Sequence, residues 1–217
     1  VHFHRSAAGA EETARAIAGM GRRAWLVPGD LTQEADANRV IDDLIRQARR
    51  LDILFNNAGS PIRMTRIEDC PLDHWRRVFD VNATSAFLVT RRAIPHLRAS
   101  GHASVINNLS LSVQTGGSGG GGVYAAAKGA VQVMTRTLAR ALAPAVRVNA
   151  IMPGVIETIH HETFSTPAKM DDYRKQTPLG RNGQAEEVAR AVVFLASDAS
   201  TFMTGALLDI NGGRFLR

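Results

Sequence analysis

The chain has 217 residues, a length that carries one sizeable core and one domain rather than two ordinary domains and a linker. Hydrophobic residues make up 45% and charged residues 21%, which argues against disorder, and the single Cys70 excludes an internal disulfide and a cysteine metal cluster. Lys plus Arg exceed Asp plus Glu by 26 − 20 = 6, but the arginines are scattered and aromatics are only 6%, so no basic stripe or stacking platform for nucleic acid is expected.

Strand and helix patterns alternate along the chain. Val1 to Phe3 read as a strand, Glu11 to Met20 as a helix after a Ser-Ala-Ala-Gly turn, and Ala24 to Val27 as a strand ending at Pro28-Gly29-Asp30. A helix follows from about Gln33 to Arg49, with Val40, Ile41, Leu44 and Ile45 at spacings of three and four. Leu51 to Phe55 is a short buried strand closed by Asn56-Asn57-Ala58-Gly59, residue types that suit a strand-end turn. Ile62 to Trp75 is mixed, and a helical pattern runs from Val81 to Leu97 with Pro95 limiting its end.

Ser104 to Leu109 is a strand, Val123 to Leu142 a long helix, and Arg147 to Ile151 a strand leading into Pro153-Gly154. The segment from Ile159 to Pro178 is irregular and reads as a mobile lid. Glu186 to Ala196 is an amphipathic helix, and Leu207 to Ile210 the last strand. Such alternation predicts an α/β fold, a doubly wound parallel sheet covered by helices. No apolar run approaches the roughly 18 residues of a membrane span and no signal peptide is visible, so a soluble cytoplasmic protein is expected.

Chemistry concentrates between Asn107 and Lys128. A strand end carrying Ser110 and Ser112 runs into a glycine-rich turn, Gly116 to Gly122, and then into Val-Tyr-Ala-Ala-Ala-Lys. Tyr124 and Lys128 stand four apart, about one helical turn, and so share a face. A free phenol titrates near pH ~10, and a neighbouring ammonium is expected to lower that value toward neutrality. Ser110 is placed to donate to an oxygen on which charge develops, which suits carbonyl/alcohol interconversion.

A tyrosine and a lysine four apart also occur in helices by chance. In company with the preceding serine, the glycine turn, Asn-Asn-Ala-Gly and Pro153-Gly154, however, the sequence resembles the short-chain dehydrogenase/reductase family in its classical form, including 3-oxoacyl-carrier-protein reductase-like members. The resemblance spans essentially all 217 residues. Ser110 lies 124 − 110 = 14 residues before the tyrosine, where most members have 13, and Ser112 is the alternative.

The resemblance implies a Rossmann-like fold in which Asn82, Ser110, Tyr124 and Lys128 are catalytic, Asn82 sustaining a water relay to the lysine. It implies nucleotide contacts from His4, Arg5 and Ser6, from Asp30 and Leu31, from Asn56, Ala58 and Gly59, from Tyr124 and Lys128, and from Pro153, Gly154, Ile156 and Thr158. Arg5 with no acid before Glu11 favours NADP(H) over NAD(H). Helix capping is the competing role for Asp30 or Thr32.

The family also opens with a strand, a glycine-rich phosphate turn and a helix, on the order of 30 residues. Nothing of that unit stands before Val1, so a sheet lacking its first strand and helix is expected, the chain being an incomplete piece. Two further expectations come with the family: a small carbonyl or alcohol substrate, and assembly as a dimer or tetramer through the long helix. An NAD-dependent sugar or polyol dehydrogenase and a catalytically silent binding protein are the competing functions. His160-His161-Glu162 lacks the second histidine of a zinc signature, since position 165 is serine, so no metal is expected.

Overall fold

The computed structural model describes residues 1–216; Arg217 lies outside the described residues. Strand β1 (His2–Phe3) pairs in parallel with β2 (Val27–Pro28), joined by helix α1 (Ala7–Gly19). The helix starts at Ala7, not Glu11, because Ala-Ala-Gly after Ser6 enters the helix instead of forming the expected turn. β2 is shorter and later than the predicted Ala24 to Val27, since its pairing register reaches only Val27 and Pro28.

Helix α2 (Glu34–Ala48) leads to β3 (Ile53–Asn56), and a short 3-10 turn precedes α3 (Leu72–Phe79). A π-helical turn, Asp80–Thr84, links α3 to α4 (Ser85–Ser100). The expected single helix from Val81 is therefore the second half of a longer rod. Pro95 lies inside α4 and does not end it. Pro95 is exposed, so the carbonyl it frees one turn earlier can be hydrated, while Ala93 and Leu97, both fully buried, hold the helix to the core. α4 ends instead at Gly101, at φ 80°.

β4 (Ala103–Asn108), the short α5 (Ser112–Thr115), the 21-residue α6 (Gly122–Leu142) and β5 (Val146–Pro153) follow. β6 (Ile156–Glu157) pairs with β7 (Gly183–Gln184) across α7 (Ile159–Phe164) and α8 (Pro167–Lys175). The segment expected to be irregular is thus largely helical. Thr166 accepts a hydrogen bond from Lys169 N at 3.2 Å and Pro167 fills the first helical position, a start signal present in the sequence but not read there. Helix α9 (Ala185–Ala196) and β8 (Leu207–Ile210) complete the fold.

β3, β4, β5 and β8 form one parallel sheet in that order. Successive residues of β4 point to opposite faces. Val105 packs with Ala37 and Ile41 of α2, Leu88 and Leu97 of α4, and Leu142 of α6, whereas Ile106 packs with Leu195 of α9. Both faces are covered, which is why β4 and β5 read as almost continuous apolar runs. β1 and β2 form a separate pair, and Ile53 and Phe55 of β3 are 48% and 36% exposed, so the sheet is interrupted where the first strand of the 3-2-1-4-5-6 order stands.

One polar network crosses this core. Asn56 Nδ2 donates to Asn107 Oδ1 at 2.8 Å and to Thr90 Oγ1 at 2.9 Å, and Asn107 Nδ2 donates to Thr135 Oγ1 at 2.9 Å. It ties β3, β4, α4 and α6 together beneath the carboxyl ends of the strands. Because both amide ends of Asn107 are buried and paired, its removal orphans groups on two neighbours. Asn107→Ala is expected to cost roughly 2–4 kcal/mol, measured by urea unfolding, against under about 1 kcal/mol for an exposed asparagine.

Candidate active site

The glycine-rich turn brings α6 up against the 3-10 region. Gly120, at φ 90°, lets Thr65 N donate to its carbonyl at 3.1 Å, and a Cβ there would lie 2.8 Å from Thr65 N. α6 therefore begins with Tyr124 in its first turn and Lys128 one turn later. On the facing side, Ser110 lies beyond the end of β4, and its hydroxyl hydrogen-bonds the Tyr124 phenol. Ser112 donates to Ser110 Oγ from both its hydroxyl, at 2.9 Å, and its backbone N–H, at 3.2 Å. Those two bonds leave the Ser110 proton for the phenol, so Ser110 meets Tyr124 and Ser112 stands behind it.

Lys128 is only 2% exposed, and its ammonium donates to Asn108 O at 2.7 Å while lying 5.7 Å from the Tyr124 ring centroid. Burial pushes Lys128 down to about 8. Burial also pushes Tyr124 up to about 12, against the lowering effect of the Ser110 bond. The expected acidification by the lysine does not emerge: desolvation of the phenolate prevails over the one lowering influence, the Ser110 bond, and Tyr124 is a protonated phenol at neutral pH.

Asn82 occupies the π-helical turn and is 1% exposed. Its Oδ1 accepts from Ser60 N at 3.0 Å, and its Nδ2 donates to Ser60 O at 2.7 Å and Val78 O at 2.8 Å. A Cβ on Gly59 would fall 2.6 Å from Asn82 Oδ1 and 2.7 Å from Lys128 Nζ. The bare glycine is what lets asparagine, lysine and the Asn-Ala-Gly loop meet.

The other sequence-predicted residues lie along the same carboxyl edge, with some side chains turned elsewhere. Asn56 is engaged inward in the core network, and Leu31 packs against the core. Asp30 Oδ1 accepts from Thr32 N at 3.0 Å and Thr32 Oγ1 at 2.8 Å, and its own N–H donates to Asp36 Oδ2 at 2.8 Å. The residue flanking α2 is Gln33, with no side-chain cap, so neither Asp30 nor Thr32 caps that helix. His4, Arg5 and Ser6 are exposed just past β1, with His4 Nε2 4.0 Å from Asp30 Oδ2. Pro153 ends β5, Gly154 abuts Asn211, and Thr158 Oγ1 donates to Ile156 O at 3.3 Å.

The edge fits a nucleoside. Among the described residues only one Lys128 proton has a hydrogen-bond partner, and Asn108 Oδ1 is buried without one. Spare donors beside a spare acceptor suit ribose hydroxyls, which both give and take hydrogen bonds. Met64 and Thr65 stand against the glycine turn, in the segment expected to lie over one side of the cleft, whereas sequence reasoning missed His160, whose ring lies 6.3 Å from that of Tyr124. Its adjacency to His161 drew attention to metal chemistry, yet among the described residues no three His, Cys, Asp or Glu side chains form a metal-holding group.

A family profile described as Enoyl-(Acyl carrier protein) reductase matches residues 1–214. The chain belongs to the short-chain dehydrogenase/reductase family. It is an oxidoreductase acting on CH–OH/C=O groups with a nicotinamide dinucleotide. It is 34% identical to the cis-4-hydroxycyclohexanecarboxylate dehydrogenase of Sinomonas cyclohexanicum, over 95% of this chain and 83% of that one. With the cyclopentanol dehydrogenase of Comamonas testosteroni it shares 36% identity, over 89% and 77%. The crystal structure of a gluconate 5-dehydrogenase from Burkholderia cenocepacia, in complex with NADP and tartrate, superposes with a TM-score of 0.90 at 30% identity, covering 99% of this chain and 84% of that one. An NADH-dependent reductase responsible for alginate metabolism also gives 0.90, at 29% identity over 100% and 86%. No helix among the described residues is long and apolar enough to cross a membrane.

The lysine's burial has a measurable sign. Its folded pKa lies below the unfolded value of 10.5, so folding carries the cost of the buried charge in full below about pH 8 and sheds it as pH rises. Tyr124 acts oppositely, but only above its unfolded value of 10.0. Between pH 7.5 and 9.5, the stability of Lys128→Met relative to wild type is expected to fall by up to about 2 kcal/mol in urea titrations, at about 1.4 kcal/mol per unit beyond pH 8.

Proposed function

We propose that the protein is an NADPH-dependent reductase of a small ketone, running in reverse as a secondary-alcohol dehydrogenase. The observation that carries this reading is the convergence of Ser110, Tyr124, Lys128 and Asn82, with Tyr124 protonated at neutral pH. The nicotinamide, when bound, supplies the hydride. Tyr124 donates its proton to the carbonyl oxygen, and Ser110 offers that oxygen a second hydrogen bond. Lys128 steadies the phenolate left behind and turns its remaining protons toward the nucleotide ribose. Asn82 pins Ser60 and so holds the Gly59 loop against the lysine.

His4, Arg5 and Ser6 hold the adenosine end, and the absence of any carboxylate among them favours a 2′-phosphate. Asp30 beside His4 is the one observation favouring the second reading, an NAD-dependent sugar or polyol dehydrogenase. Asp30, Leu31, Ala58, Gly59, Pro153, Gly154, Ile156 and Thr158 complete the cofactor cleft. The chain works as one cofactor-binding and catalytic unit, with residues 159–178 as the substrate lid.

Turnover is tested by NADPH oxidation with a ketone panel. Tyr124→Phe is expected to lower kcat about 10²–10⁴-fold with the fold intact; activity within a few-fold of wild type would remove Tyr124 as the proton donor. A matched NADH titration decides between the two cofactor readings.

A groove of about 410 Å³ runs between α4 and α6, lined by Phe87, Ile94, Val133, Met134 and Leu138, with Phe87 45% and Val133 62% exposed. This face supports the reading of a homo-oligomer assembled through those helices. Sedimentation equilibrium is expected to give a dimer or tetramer, and Val133→Glu to shift it toward monomer.

A further inference from the structure

The lid brings positive charge to the mouth of the cleft, where among the described residues no carboxylate pairs with it. His160 lies 6.3 Å, ring to ring, from Tyr124, and 5.2 Å from His161, whose ring is 6.1 Å from Tyr173. Tyr173 in turn carries two cations: the guanidinium carbon of Arg214 is 4.2 Å and the Lys169 ammonium 5.6 Å from its ring centroid. Lys169 also reaches the turn that leads into Tyr124, since a Cβ on Gly119 would lie 3.0 Å from its Nζ. The amine therefore bridges the lid and the catalytic turn.

Neighbouring cations on the same helix are arranged differently. Arg174 and Lys175 are exposed and both paired with Asp171. Lys169 and Arg214 are half-buried, and among the described residues neither has a carboxylate within ion-pair distance; Arg214 donates to the neutral Gln176 and both lean on an aromatic face. Half-burying two cations without a counter-charge is unfavourable, and an anion arriving between lid and turn relieves it. His161 reports the same field: burial, and then His160, Lys169 and Arg214, bring it down to about 4.

We propose that the substrate is an oxo or hydroxy acid, its carboxylate bound by Lys169 with support from Arg214, several bonds from the carbon that faces Tyr124. The chain of rings from Tyr124 through His160 and His161 to Tyr173 separates the reacting end from the anion end, and this sets the spacing. The proposal rests on the carbonyl-reductase reading for its reaction but not for its binding.

The test compares 5-oxohexanoate with its uncharged amide, 5-oxohexanamide, in the NADPH assay, and titrates 5-hydroxyhexanoate calorimetrically. The wild type is expected to favour the acid at least about 10-fold in kcat/KM, through KM. Lys169→Met lowers that ratio at least about 5-fold, Lys169→Arg restores most of it, and Lys175→Met, on the same helix but paired with Asp171, leaves it alone. Calorimetric affinity for the hydroxy acid falls in Lys169→Met and persists in Tyr124→Phe. Equal turnover of acid and amide, dependent on Tyr124, overturns the acid proposal and leaves the reductase reading standing. Lysine-dependent binding without turnover by any variant does the reverse, and absence of both binding and turnover overturns the two together.

Discussion

A lysine ammonium held almost entirely out of water is the constraint around which this site is built. Among the described residues Lys128 keeps one hydrogen bond, to Asn108 O, and its neighbours Gly59 and Asn82 make room for the amine. Gly59 contributes by lacking a side chain, and Asn82 by fixing the loop that carries Gly59. The Asn56–Asn107–Thr135 network then fixes β4 and α6, which deliver the carbonyl and the amine. Stability and chemistry thus share the same few buried polar groups, and the molecule concentrates its polar interior where the reaction is expected.

The two titratable partners divide the work in a way that residue spacing alone does not reveal. A lysine beside a tyrosine suggests an acidified phenol, but a phenol out of water is harder to ionise than one in solvent, and here that effect prevails. The outcome is a phenol that holds its proton at rest. Ser110 bears on the same balance, since its hydrogen bond favours the phenolate while burial opposes it.

Much of the fold was legible because period and punctuation agreed. Val40, Ile41 and Leu44 announced α2, and the apolar runs of β4 and β5 announced strands covered on both faces. The meeting of Ser110, Tyr124 and Lys128 was legible because those residues flank a glycine turn, while Asn82 was reached through the family resemblance. What escaped was decided by tertiary contact. Pro95 looks like a stop, yet Ala93 and Leu97 keep α4 in place through it. α7 and α8 have too few apolar residues to show a period, and only the Thr166-Pro167 pair marks a start. His160 was visible as a residue but not as a neighbour of Tyr124, because that proximity depends on how the lid folds back.

The turn at Asp80–Thr84 carries a consequence for chain length. A π-helical turn holds one residue more than an α-helical turn, so the rod formed by α3 and α4 has an added residue at the point from which Asn82 reaches Ser60 and Val78. Deleting a single residue there would restore regular α geometry across the turn and join α3 to α4 as one continuous helix. It would also remove the widened turn from which Asn82 reaches Ser60 and Val78, taking the amide off the loop it clasps. Circular dichroism would register scarcely any difference, while the clasp would be gone: at this place the count of residues matters as much as their kind.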